Sequence, residues 1–309
     1  MNTPIALFTY NRPEHTRRTI EALLRNSEAG EHDLIIYSDA ALTSDKQSSV
    51  EEVRSFIKTI KGFSSVTIHH RPHNFGLAKS IIDGVSEVLL KHETIIVLED
   101  DMVTSPHFLS YMRDGLNRYS NDDRVISIHA YVFPVKADLP DTFFLPGADC
   151  WGWATWRRGW DIFNPDGKAL LTELRRRKLL KAFDFNGAYP YSKMLEGQIN
   201  GRNDSWAIRW HASAFLAGKL TLYPGRSLVH NIGNDNSGTH CTAQNCYDVE
   251  LSSASIKVSS VKVIPSEVGY AAYETYLRKI QGTAFGKIRE RLEAVLSRVC
   301  MNMMFKVRQ

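Results

Sequence analysis

Thr94-Ile95-Ile96-Val97-Leu98-Glu99-Asp100-Asp101 is the stretch on which the reading of this chain turns. Four apolar residues, three of them β-branched, run directly into three consecutive carboxylates. A continuous apolar run bounded by polar residues fits a strand buried on both faces. The carboxylates then fall at its C-terminal edge, where open α/β sheets place their ligands. Three neighbouring anions repel one another, and a fold tolerates them best around a cation. Oxygen-rich sites suit Mg²⁺ or Mn²⁺, with one or two carboxylates and the phosphates of a nucleotide completing the shell. Taken alone, the triplet reads more simply as a solvated acidic strand end. Its surroundings decide between the two.

Working outward toward the N-terminus, residues 4–10 read as a first buried strand, stopped by Asn11-Arg12-Pro13. Pro13 suits the first turn of a helix over 14–25, with Ile20, Leu23 and Leu24 on one face. A second strand over 34–38 ends at Asp39, and a helix over 45–61 follows with Val50, Val53, Phe56, Ile57 and Ile60 at helical spacing. A third strand over 66–70 leads through Arg71-Pro72-His73-Asn74-Phe75-Gly76 into a helix over 77–90. Strand and helix alternating at this rhythm predict an α/β fold with a mostly parallel central sheet and right-handed crossovers.

Beyond Asp101 the pattern changes. A helix is expected over 108–119, a strand over 125–129 and irregular chain over 130–150. Four of the six tryptophans then fall within residues 151–160, beside Gly152 and Gly159. Tryptophans can simply form core, but a cluster beside glycine also suits a wall on which a sugar or base lies. A basic helix over 169–183, a helix over 204–217, a strand over 220–223 and a polar loop reaching 245 come next. Residues 266–306 read as two helices, the second basic and amphipathic. The expected organisation is a domain over 1–247, divided at 101 into a nucleotide-binding and an acceptor half, with an extension over 248–309.

The 309 residues are 43% hydrophobic and 23% charged, with a net charge of +4. That composition suits a globular protein with a sizeable core, and the charge is too small to argue for nucleic acid. Met1-Asn2-Thr3-Pro4 leads into a strand without a basic segment, so no signal peptide is expected. No apolar stretch approaches the length that crosses a bilayer. Four sparse cysteines argue against a disulfide framework and for a reducing cytoplasm. Cys241, Cys246 and His240 match no common zinc spacing.

Together these features resemble the nucleotide-sugar glycosyltransferases with the A-type, Rossmann-like fold, in the branch around N-acetylglucosaminyltransferase I and its bacterial family-2-like relatives. The resemblance spans about residues 3–240. It is carried by Phe8-Thr9-Tyr10-Asn11-Arg12, Ser38-Asp39, His73-Asn74-Phe75-Gly76-Leu77, Glu99-Asp100-Asp101 and the Trp/Gly segment. It implies that a base lies near Phe8, Thr9, Tyr10, Asn11, Arg12 and Asp39, the last accepting from a ring N–H. Asn74 and the backbone at Gly76 would approach the nucleotide, and Lys79 or Arg12 would meet its phosphates. Asp101 would hold Mn²⁺ or Mg²⁺, Asp100 and Glu99 would face ribose or sugar, and Trp151, Gly152 and Trp153 would wall the sugar. A late-loop histidine completes the metal site in many such enzymes; His240 is the first choice and His230 the second. Asp204 stands where the family keeps its catalytic base, in Asp-Ser-Trp where relatives usually carry Asp-Asp-Trp. The same position suits a helix N-cap, and Asp149 or Glu196 would be the next candidates for the base.

The implied activity is metal-dependent, inverting transfer of a sugar from a nucleotide-diphosphate sugar to a glycan or lipid-linked acceptor in bacterial surface polysaccharide synthesis. A sugar nucleotidyltransferase would share the fold, but usually carries a Gly-rich, basic signature after the first strand, which is not present here. A non-catalytic carbohydrate-binding protein would not need the carboxylates. The basic segment 284–309 suits either the anionic inner face of a membrane or a packed helix with a solvated face.

Overall fold

Alternate residues of the 94–99 strand enter two different cores. Ile96 and Leu98 pack in one with Leu7, Ile20, Leu23, Val53 and Phe108. Ile95 and Val97 pack in the other with Ala6, Phe8, Ile81, Val85 and Trp210. A strand apolar at every position is the signature of a sheet covered on both faces, and here helices cover both. The computed structural model describes residues 3–235 and 245–282.

The first half alternates strictly: β1 (Ile5–Thr9), α1 (Pro13–Leu24), β2 (Asp33–Ser38), α2 (Gln47–Ile57), β3 (Ser65–His70), α3 (Leu77–Leu89) and β4 (Thr94–Glu99). The second half adds β5 (Met102–Thr104), α4 (Phe108–Arg118), β6 (Val125–His129), β7 (Thr142–Pro146), β8 (Trp153–Trp156) and α5 (Arg157–Trp160). It continues with α6 (Gly167–Arg176), α7 (Leu180–Phe183), α8 (Tyr191–Ile199), α9 (Trp206–Leu216), β9 (Leu220–Pro224) and β10 (Val229–Asn231). One eight-stranded sheet runs through both halves in the order β3-β2-β1-β4-β8-β6-β9-β7. The pairs β1/β2, β1/β4, β2/β3 and β6/β9 are parallel, while β8 and β7 run antiparallel to their neighbours. The fold is α/β with a mostly parallel central sheet flanked by helices. Strand order reverses between β1 and β4, which makes their C-terminal ends the switch point where such sheets bind ligands.

Several expectations are corrected. The irregular stretch contains β7, and the Trp/Gly segment is itself a strand, β8, inserted between β4 and β6. Trp153, Trp156 and Trp160 are therefore core residues, at most 7% exposed, and only Trp151 keeps an open face. The basic helix is two helices, broken where Lys178 takes a left-handed φ of 58°. The helix expected over 45–61 ends early, at Ile57. A three-residue pair, β5 with β10, was not expected at all.

Within the extension, chain from 248 onward lies against the sheet, with Ile256 and Val263 in the first core. A helix over 267–282 places Tyr273 and Leu277 beside Phe143 and Tyr223, covering the edge strand β7. No helix among the described residues is long and apolar enough to cross a membrane. The segment 284–309, expected to be basic and amphipathic, lies outside the described residues.

Candidate functional site

Glu99 ends β4, and Asp100 and Asp101 form the turn into β5, so all three carboxylates sit at the switch point. Arg12 is the residue before Pro13, the first residue of α1. Proline disfavours the helical conformation in the residue before it, and Arg12 accordingly takes φ −120° outside the helix. From there its guanidinium donates to Asp100 Oδ1 and lies 2.9 Å from Asp101 Oδ2. The Tyr10 amide donates to Asp100 Oδ2 at 3.2 Å, and Thr19 Oγ1 on α1 donates to the Asp100 carbonyl at 2.9 Å. One arginine thus faces three carboxylates. Asp101 Oδ1 is buried and has no hydrogen-bond partner among the described residues.

The charge excess shows in the ionisation of the triplet. Burial, with Asp101 and Asp100 beside it, pushes Glu99 up to about 8. Burial also raises Asp100, outweighing the opposing pull of Arg12. Burial works against the Arg12 charge, yet Asp100 and Asp101 hold that charge firmly in place. Because folded Glu99 keeps a proton that the unfolded chain has lost, the native state binds more protons between the ordinary carboxylate range and about pH 8. Stability without metal is therefore expected to fall as pH rises through that window. Denaturant midpoints in EDTA between pH 5.5 and 8.5 test this. Glu99→Gln should flatten the fall, and a variant as pH-sensitive as the natural chain would contradict the assignment.

The loops after β2 and β3 close against each other through Asp39. Its Oδ1 accepts the amides of Ala40 and Phe75, each at 2.9 Å, and its Oδ2 accepts that of Gly76 at 3.0 Å. Asn74 Nδ2 donates to the Ala40 carbonyl at 2.7 Å. Gly76 sits at φ 72°, a region that favours glycine, and starts α3. Asp39 is thus chiefly a loop pin, with one lone pair of Oδ2 left for a ring N–H. Tyr10 Oη accepts the Leu42 amide at 3.0 Å, bringing the β1 and β2 loops together. Thr9 and Phe8 are buried, and Phe8 stacks on Tyr37 at 5.1 Å, so they support the loop from beneath. Asn11 is half-buried beside Arg12. Lys79 pairs with Asp83 at 2.6 Å, and its ammonium lies 5.1 Å from the centre of the Phe75 ring.

A strap over the carboxylates went unread in the sequence. β10 pairs with β5, the Ile232 amide donates to the Asp101 carbonyl at 2.9 Å, and Gly233 follows. A Cβ on Gly233 would stand 2.2 Å from Asp101 Oδ2 and 2.9 Å from Arg12 Nη1. Only a residue without a side chain lets the strap approach so closely. His230 pairs with Asp248 at 3.4 Å. His240 lies outside the described residues. Among the described residues no three His, Cys, Asp or Glu side chains converge as a ready metal cage.

On the other side of β4, Gly152 adopts φ 65° and packs on Val229, where a Cβ would come within 2.6 Å. Trp153 is opposite Val97 and stacks on Trp206 at 5.5 Å, which carries the start of α9 toward the carboxylate end of β4. The N-cap of α9 is Ser205, whose Oγ accepts the Ile208 amide, and not Asp204. Asp204 is 71% exposed and lies 3.2 Å from Arg209 Nη2. Glu196 is held by Arg175 at 2.6 Å. Asp149 stands 3.6 Å from the buried His129.

The sequence model of glycosyl transferase family 2 matches residues 5–163. None of the curated proteins compared matches the chain. Among solved structures, TarS 1–349 of S. aureus matches at 11% identity and a TM-score of 0.36, over 57% of this chain and 49% of that one. The chain therefore spans about half the length of that TarS structure. The mannosyltransferase PcManGT of Pyrobaculum calidifontis, in complex with GDP-Man and Mn²⁺, matches at 10% identity and 0.38, over 70% of each chain. A cytidylyltransferase of Leptospira borgpetersenii serovar Hardjo-bovis matches at 11% identity and 0.31, over 52% of this chain and 63% of that one.

Proposed function

The chain belongs to glycosyl transferase family 2, and from that premise we propose that it moves a sugar from a nucleotide-diphosphate donor to a glycan or lipid-linked acceptor, with inversion. The observation that carries this reading is the buried, unpartnered Asp101 Oδ1 within a carboxylate triplet countered by one arginine. That donor set fits Mn²⁺ or Mg²⁺ held by Asp101, with Asp100 beside it and the donor's phosphates completing the shell. Bound there, the cation would neutralise charge on the departing nucleoside diphosphate.

The chain's own residues supply the rest. The Asp39-pinned loops receive the base, with Tyr10 and Asn11 alongside. Arg12, released from the carboxylates, reaches the phosphates and holds their developing charge. Glu99 and Asp100 face the ribose and sugar. Asp204 takes the proton of the acceptor hydroxyl, which is a poor nucleophile until deprotonated. An enzyme of the cytoplasm drawn to the inner membrane face by 284–309 would meet lipid-linked acceptors of surface polysaccharide synthesis.

Thermal melting against a panel of UDP-, GDP-, CDP- and dTDP-sugars, with Mn²⁺ or EDTA, tests the reading. One nucleotide class at about a hundredfold over its Kd should stabilise the fold by about 2.7 kcal/mol, a shift of a few degrees, and only with Mn²⁺. No response to any donor would count against it. Gly233→Ala is expected to displace the strap or Asp101 and to lower turnover about a hundredfold, the usual consequence of misplacing a reacting group by about 1 Å. Initial rates beside a melting curve read this out, and an unchanged rate would show that the strap does not govern the carboxylates.

A further inference from the structure

The loop 147–152 carries a carboxylate that the transfer chemistry above does not use. Asp149 Oδ1 accepts the Cys150 amide at 2.9 Å, while Oδ2 lies 3.5 Å from Tyr223 Oη and 3.6 Å from His129 Nε2. The Asp149 side chain is 36% exposed and His129 is fully buried. Neither ring nitrogen of His129 has a hydrogen-bond partner among the described residues, nor does His211 Nε2. The Asp149 charge is felt at both of these side chains. Three orphaned polar atoms therefore lie near one accessible acid, in a class of protein interior where such atoms are nearly always paired.

The surroundings of Asp149 point to a ligand. Trp151 and Tyr247 are half-buried, with rings 5.5 Å apart and edge to face, and the half-buried Tyr189 also feels the Asp149 charge. Partly exposed aromatic rings beside a carboxylate suit a pyranose ring. Its C–H face lies on the rings and its hydroxyls donate to the acid. The placement also fits. β8 runs antiparallel to β4 with Trp153 opposite Val97, so the same register continued puts Cys150 and Asp149 beyond Glu99, the end of β4. The Cys150 thiol feels Asp149, Glu99 and Asp101 together. This is the side of β4 away from the β1 and β2 loops, hence the acceptor side.

We propose that Asp149 binds hydroxyls of the acceptor's terminal sugar, and that His129 is a positioning residue that holds Asp149 Oδ2 from behind. The 3.6 Å separation closes to a hydrogen bond with a small side-chain rotation, and such contacts commonly tighten only when substrate is bound. Burial lowers the His129 pKa against the pull of Asp149, which leaves a neutral ring with one N–H to donate. The inference rests on the sugar-transfer reading of the neighbouring site.

The test is a titration with octyl β-glycosides of glucose, galactose, mannose and N-acetylglucosamine, followed by tryptophan fluorescence. At least one should bind the natural chain, and Asp149→Asn should raise its Kd at least tenfold while nucleoside diphosphate affinity changes less than twofold. His129→Phe keeps the ring and loses the N–H, so affinity should fall several-fold; His129→Gln keeps a donor and should restore most of it. An unchanged Kd for Asp149→Asn, or no glycoside binding by the natural chain, would overturn the subsite. Retained affinity in His129→Phe with loss in His129→Gln would overturn the positioning role. Should the histidine variants not fold, the half-exposed Asp149→Asn carries the test. Glycoside binding without any response to nucleotide sugars would sink the transferase reading and leave the subsite standing.

Discussion

Asp101→Asn is expected to lower sugar transfer by roughly three orders of magnitude or more, because it removes the charge that would hold the cation opposite the leaving diphosphate. The fold should survive, for a reason specific to this site. Breaking a balanced buried ion pair is usually costly, but here three carboxylates face Arg12 alone, and Asp100 keeps its own contact with the guanidinium. Removing one negative charge relieves repulsion, so the metal-free variant should melt at or above the temperature of the natural chain. Loss of function with equal or greater stability marks a residue kept for its chemistry. Rates and melting curves on the same preparation test the pair of claims. A variant that loses both together would make Asp101 a structural residue instead.

The second large effect belongs to Asp204→Asn. Ser205 caps α9, so the substitution leaves the helix start untouched. The pair with Arg209 is solvent-exposed on the Asp204 side, and exposed pairs contribute little. Arg209 also donates to the carbonyls of Ser205 and Pro165, which hold it without Asp204. Stability should therefore shift by less than about 1 kcal/mol. Turnover should fall by about 10²- to 10⁴-fold, the usual contribution of a positioned base. Donor affinity should persist, since the nucleotide site proposed above lies at the ends of other strands. Steady-state kinetics with a saturating acceptor decide it; a variant that keeps its rate removes Asp204 from the chemistry.

The legible parts of this fold were those written in local pattern. The 95–98 run is apolar at every step because both of its faces are covered, and its carboxylates fall at a strand end because charge cannot continue into either core. β5 and β10 escaped notice because three residues carry no periodicity; each is a strand only because the other is there. The tryptophan cluster misled for a related reason. Between β4 and β6, a strand so rich in aromatic residues is filled core, and periodicity alone does not separate a buried face from a binding wall. Asp39 was legible as the residue that follows a strand, but its bonds to Phe75 and Gly76 join segments more than thirty residues apart. Arg12 on Asp100 spans more chain still, and His129 beside Asp149 less; both are contacts that sheet order creates and that no spacing announces. Gly233 was unreadable until the strap showed what a Cβ there would strike.

The most direct test of the central claim is release of nucleoside diphosphate from a radiolabelled nucleotide sugar, followed with Mn²⁺ and again in EDTA. The carboxylate site predicts release and sugar transfer with Mn²⁺, falling by roughly 10³-fold or more in EDTA and, equally, in Asp101→Asn. Equal turnover in EDTA would contradict it, as would pyrophosphate released from a nucleoside triphosphate and a sugar phosphate.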